Sequence, residues 1–130
     1  MLRSLLEWNR QRKEWNAKHV AAWVGATTRG ADGFTALQRL CEAQLSSALA
    51  AIDTSLTDRD IADPSTSPWI RARIEGTALN IWLHDDTVGL DGHGKHSRFE
   101  EWDFETPEDL ASAFTAAVIA AVRTDPAGAV

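Results

Sequence analysis

Two periodicities divide the chain. Up to about residue 53 the apolar residues recur every three or four positions, as on a helix face; from Trp69 they alternate with polar residues, as on a half-buried strand. The first pattern predicts a helix over residues 2–24. Leu5, Trp8, Arg12, Trp15, His19 and Trp23 fall within about 80° of arc at helical pitch, with Glu7, Arg10, Lys13, Glu14 and Lys18 mostly outside that stripe. Gly25 marks its end, before the soft stretch GATTRGADG. Asp32 is the candidate N-cap of a second helix over 33–53, in which Phe34, Leu37, Leu40, Cys41, Leu45, Ala48, Leu49 and Ile52 recur at helical spacing. The Pro-, Ser- and Asp-bearing segment 54–68, TSLTDRDIADPSTSP, reads as a connector.

Beyond it Ile70, Ala72 and Ile74 alternate with Arg71, Arg73 and Glu75, and Leu79, Ile81 and Leu83 alternate with Asn80, Trp82 and His84. Gly76-Thr77 and Asp85-Asp86 supply turns, and a short third strand follows over Thr87–Leu90. DGHGKHS, residues 91–97, reads as a mobile hairpin loop, and Arg98–Phe104 as a fourth strand with Glu101 and Asp103 on one face and Glu100, Trp102 and Phe104 on the other. Thr106-Pro107-Glu108-Asp109 is a helix start, with a preferred N-cap, proline at the first helical position and acids in the first turn. Leu110, Ala113, Phe114, Ala117, Val118, Ala121 and Val122 then form a helical core face. The expectation is an α+β fold of two N-terminal helices, a four-stranded antiparallel sheet and a C-terminal helix packed on one sheet face. It forms a single domain over 1–130: helical 1–53, connector 54–68, sheet plus helix 69–123 and a flexible tail 124–130.

A chain of 130 residues with 44% hydrophobic and 25% charged content can bury one core without metal or disulfide. The lone Cys41 fits a reducing compartment. Arg3, Glu7 and Arg10 interrupt the N-terminal apolar residues, so no secretory signal is read there. No stretch approaches the roughly 20 apolar residues of a membrane span. A cytoplasmic protein is the expectation. The net charge of −6 is unevenly placed: residues 1–31 carry six Lys or Arg against two Glu, whereas residues 66–130 carry five basic and eleven acidic side chains. That balance disfavours general nucleic-acid binding, which rests on phosphate neutralisation, and suits a basic partner. Six Trp without a Tyr serve equally as core and as interface anchors.

Candidate chemistry is sparse. His84, Asp85, Asp86, Asp91, His93 and His96 crowd one end of the expected sheet, a donor set that transition metals accept. The Gly-spaced loop matches no ligand spacing, and a solvated turn accounts for it, so neither metal nor cofactor is expected. No nucleophile elbow, phosphate loop, dinucleotide fingerprint or zinc-protease helix occurs. Cys41 sits on an apolar helix face, where packing explains it better than reactivity. The chain reads as a non-enzyme.

Residues 68–123, through LNIWLHDDTVGL and RFEEWDFETPEDLASAF, resemble small immunity proteins of bacterial toxin–immunity systems. The resemblance implies a binder that occludes a toxin and performs no chemistry itself. On charge and apolar area, Asp85, Asp86, Glu101 and Asp103 are the expected polar contacts, and Trp82 or Phe99 the anchor. The alternatives are an effector chaperone of the type III secretion kind, or a structural subunit that homodimerises through the helix bearing Trp8, Trp15 and Trp23.

Overall fold

The computed structural model describes residues 2–62, 68–92 and 94–125. Helix α1 spans Leu2–Thr27 and helix α2 Ala36–Ala50. Five antiparallel strands follow, β1 Leu56–Ala62, β2 Trp69–Ile74, β3 Asn80–Leu83, β4 Thr87–Gly92 and β5 Lys95–Glu100. A 3-10 turn, Glu101–Asp103, leads into helix α3, Pro107–Thr124. The sheet is a meander in which strand order equals chain order. The fold is α+β with the C-terminal helix as expected, but the sheet has five strands rather than four.

The fifth strand lies in the expected connector. Five of the seven residues of β1 are polar or exposed, so it shows no alternation. It is held from across the sheet instead. Asp60 pairs with Arg71 at 2.6 Å and Asp58 with Arg73 at 3.1 Å, while Arg59 reaches back to Glu42 of α2 at 3.1 Å. The pairing is irregular between Thr57 and Asp60, where Asp58 adopts a φ of 54°. A charged, bulged strand suits a sheet edge, because it offers a poor template to another chain.

Other boundaries also differ from the expectation. Helix α1 runs past Gly25 to Thr27, and its last carbonyls are taken by hydroxyls: Thr27 Oγ1 donates to Trp23 O at 2.7 Å and Thr28 Oγ1 to Val24 O at 2.5 Å. The N-cap of α2 is Thr35, not Asp32. Thr35 Oγ1 accepts from Gln38 N at 3.2 Å, and the Gln38 side chain accepts from Thr35 N at 2.8 Å, a reciprocal capping box. Asp32 serves the turn before it, accepting from Phe34 N at 3.1 Å and pairing with Arg39; the Phe34 amide holds its carboxyl below the usual range. Segment 91–97 is mostly strand, β4 continuing to Gly92 and β5 starting at Lys95. Strand β5 then stops at Glu100, so Glu101 and Asp103 lie on a 3-10 turn and share no strand face.

Helix α3 begins as the sequence predicts. Thr106 Oγ1 accepts from Asp109 N at 3.1 Å, and Pro107 occupies the first turn. Replacing Thr106 with Ala is expected to lower stability by about 1 kcal/mol, read as a lower urea midpoint at an unchanged slope.

All three helices lie on the inner side of the sheet. Ile70, Ala72, Ile74, Ile81, Leu83, Val88 and Leu90 point inward, against Leu37, Cys41, Leu45 and Leu49 of α2 and Leu110, Ala111, Phe114 and Val118 of α3. Burial pushes the Cys41 thiol up to about 12, so it stays protonated and unreactive at neutral pH. Among its described side chains, helix α1 reaches this core near its end, through Trp23 and Ala26. The Trp23 indole N–H donates to Glu105 O at 3.2 Å, tying α1 to the start of α3.

Candidate functional site

Because the helices take the inner face, the outer face of the sheet carries the alternate residues, and the meander register sorts them into rows. Asp60, Arg71, Trp82, Gly89 and Arg98 are cross-strand neighbours in the middle row. Arg73, Asn80, Asp91 and His96 form a second row on one side. On the other side Trp69, His84, Thr87 and Glu100 form a third, in which Thr87 is opposite Glu100 and His84 N donates to Thr87 O at 2.8 Å. Among the described residues no element covers this face. It is concave, with a hollow of about 840 Å³ lined by these residues other than Gly89, together with Asp58 and Asp86.

Trp82 is at the centre, and its cross-strand neighbour Gly89 explains its pose. A Cβ at position 89 would collide with the Trp82 ring and stand 2.7 Å from Ser97 O. The missing side chain lets the indole lie down across β4. Aromatic groups surround it: His84 meets it edge-on at 5.3 Å, His96 lies nearly parallel at 5.9 Å, and the Arg98 guanidinium stands 5.9 Å from its centre. Trp69 stacks on His84 at 4.5 Å and 14°, with Arg71 over it at 5.8 Å. Such arginine–indole and aromatic contacts hold a half-exposed surface in one shape.

The charge of the hollow is nearly balanced but remains acidic. Arg71, Arg73 and Arg98 have Asp60, Asp58 and Glu100 as partners at 2.6, 3.1 and 3.3 Å. Asp86 and Asp91 lie beyond those three pairs, at opposite ends of β4. Asp91 contacts the His96 ring, and Asp86 accepts from the Thr87 hydroxyl at 3.1 Å. Burial holds His84 below the usual histidine range; Asp85 and Asp86 act the other way and Arg98 adds to the depression.

That depression has a consequence for stability. The contribution of neutral His84 is present above the unfolded histidine pKa of about 6.5. As pH falls through that value the unfolded chain takes up the proton first, so stability drops toward the folded pKa. Wild type is therefore expected to lose stability relative to His84→Gln between about pH 7 and pH 5, measured as urea midpoints across that range. Parallel curves for the two proteins would contradict it.

The turn carrying His84 is anchored from below. Gln38, with none of its surface exposed, donates from Nε2 to Pro68 O at 3.0 Å and to Leu83 O at 3.1 Å. Thr35 Oγ1 donates to Asp85 O at 3.1 Å, and Arg29 Nη2 pairs with the Asp85 carboxylate at 3.1 Å.

The residues singled out from the sequence therefore separate. Trp82 and Asp86 line the hollow. Asp85 is committed to the Arg29–Thr35 anchor. Phe99 faces the other way, packing against Phe104 at 6.3 Å and edge-on to Phe114 at 5.9 Å, which leaves Trp82 as the available anchor. Glu101 and Asp103 stand on the 3-10 turn outside the hollow. The sequence reading missed Trp69, Arg71 and Arg98, and singled out His84, Asp91 and His96 only as possible metal donors. Their alternate positions carried the signal, but the row through Gly89 depends on hairpin register. Among the described residues no three His, Cys, Asp or Glu converge on a metal-sized point, and His93 lies outside them. The arrangement supplies stacking area and carboxylates.

No family model matches the chain, and no curated protein or solved structure matches it. No helix is long and apolar enough to cross a membrane among the described residues.

Proposed function

We propose that this chain is a non-enzymatic binding protein of the toxin–immunity kind, which occludes a basic protein partner with the outer face of its sheet. The observation that carries the reading is the uncovered hollow around Trp82, a rigid aromatic centre rimmed by a surplus of carboxylates. Protein interfaces concentrate affinity in such buried Trp and Arg anchors. Carboxylates at the rim raise the association rate with a cationic partner and suppress anionic ones. A row of Trp, His and Arg can also stack nucleobases, but here every Arg of the hollow has a carboxylate partner and Asp86 and Asp91 remain to repel phosphate. The charge therefore favours protein over nucleic acid.

The geometry also ranks the acidic residues. Asp86→Lys with Asp91→Lys is expected to slow association with the partner about tenfold at low salt, and Glu101→Lys with Asp103→Lys to slow it less. Stopped-flow association rates at two salt concentrations read the difference, and the reverse order would move the interface to the 3-10 turn. The direct test of function is growth. The product of the neighbouring gene is expected to arrest growth when expressed alone and to be neutralised by co-expression with this chain. Trp82→Ala should abolish protection while keeping the circular dichroism of wild type. A harmless neighbour, or undiminished protection by Trp82→Ala, would overturn the proposal.

A further inference from the structure

The hollow holds two imidazoles beside its carboxylates and arginines. Its lining has five carboxylates, Asp58, Asp60, Asp86, Asp91 and Glu100, against Arg71, Arg73 and Arg98. With His84 and His96 neutral, that leaves a surplus of two negative charges; with both protonated, the surplus is gone. Histidine is the side chain that ordinarily changes charge between pH 5 and 8, whereas carboxylates and guanidinium groups keep theirs.

The two rings stand where that change counts most. His96 of β5 touches the carboxylate of Asp91 on β4 and lies nearly parallel to Trp82 of β3 at 5.9 Å, with Arg73 of β2 and Asn80 of β3 in its row. His84 is faced by Asp85 and Asp86 from its own turn, by Arg98 from β5, and by the rings of Trp69 on β2 and Trp82 on β3. Asp86 and Asp91 are the two carboxylates that lie beyond the arginine pairs. Each therefore has an imidazole near it. His96 is exposed and His84 half-buried, so both can exchange protons with water. An indole face accommodates a cation, so protonation alters the charge of the hollow while Gly89 keeps Trp82 in place.

We infer that the hollow is a pH-gated binding surface: protonation of His84 and His96 cancels the surplus carried by Asp86 and Asp91 and weakens its hold on a basic partner. The inference rests on the reading of the hollow as the partner surface. Its size follows from the charge count. Asp86→Lys with Asp91→Lys changes the hollow by four charges for an expected tenfold in association rate. Two protons change it by two, and the logarithm of a steered rate follows the charge product, so slowing of about threefold is expected at low salt.

Ionic quenching of indole fluorescence in the full chain tests the gate without any partner. Caesium and iodide report the charge around Trp82 when the quenching of Trp82→Phe is subtracted from that of wild type, with neutral acrylamide as the reference for accessibility. From pH 7.5 to pH 5.5 the Trp82 share of caesium quenching is expected to fall about twofold and that of iodide to rise about twofold. In His84→Gln/His96→Gln, with the same subtraction in that background, both should stay level. His96→Gln alone, an exposed position that leaves the packing untouched, should remove part of the response. Stopped-flow association with the product of the neighbouring gene then gives the binding side. Wild type should slow about threefold between the two pH values beyond any change seen with the double variant, which cancels titration of the partner itself. Equal ion quenching at both pH values, or the same rate ratio in wild type and the double variant, would overturn the gate. Quenching needs no partner, so its failure leaves the partner reading standing, whereas undiminished protection by Trp82→Ala removes that reading and the gate with it.

Discussion

Phe114→Ala is expected to lower the unfolding free energy by about 3–5 kcal/mol, the usual range for truncating a buried phenylalanine. None of its surface is exposed, and it stands where α3 meets both the sheet and the end of β5 through its edge-on contact with Phe99. Truncation leaves a cavity bordered by residues of separate elements, which closes only if α3 shifts. The loss should appear as a lower urea midpoint together with increased exposure of Phe99 and Phe104 to quenchers or hydrogen exchange. A loss below about 1.5 kcal/mol would mean that the site collapses freely, and that α3 is not fixed to the sheet at this point.

Gln38→Leu should be nearly as damaging, for a different reason. The volume is roughly kept, so packing is not the issue. Gln38 is the meeting point of Thr35 N, Pro68 O and Leu83 O, all served by one buried amide. Leucine satisfies none of them. Leaving buried polar groups unpaired costs about 1–3 kcal/mol each, and with partial relaxation the total is expected near 3–4 kcal/mol. Because Leu83 and Pro68 flank His84 and Trp69, the variant should also disturb the His84–Trp69 stack. Indole fluorescence changing in the native baseline, before unfolding, would show that coupling. An unchanged baseline with full stability would show that water replaces the amide.

What was legible in the sequence was local. Thr106-Pro107 declares a helix start through contacts within one turn, and the structure keeps it. The inward sets of β2 and β3 were legible because alternation reports a half-buried face. Strand β1 was not, since its residues gain order from Arg71, Arg73 and Glu42, which lie elsewhere in the chain. Thr35 and Gln38 were readable as a capping box, three residues apart, but Asp32 competes with the same local chemistry and takes the turn instead. The acidic run after Phe99 looked like continued alternation. Its change to a 3-10 turn comes as the chain leaves β5 for α3, where Phe104 N donates to Glu101 O at 3.2 Å. The centre of the hollow was half legible: Trp82 as an outward residue was plain, whereas its pose needs Gly89 opposite, a fact of register.

The meander has a kinetic consequence as well. Each strand pairs only with strands adjacent to it in the chain, so the sheet can grow hairpin by hairpin with little loop-closure entropy at any step. The main distant partnership is α2 with α3, separated by the whole sheet. Such a contact pattern places most of the search in short-range events and leaves the docking of α3 onto α2 as the step that closes the longest loop. The element that seals the inner core is then the last to arrive, and until it does, the apolar inner face of the nascent sheet is open to other chains.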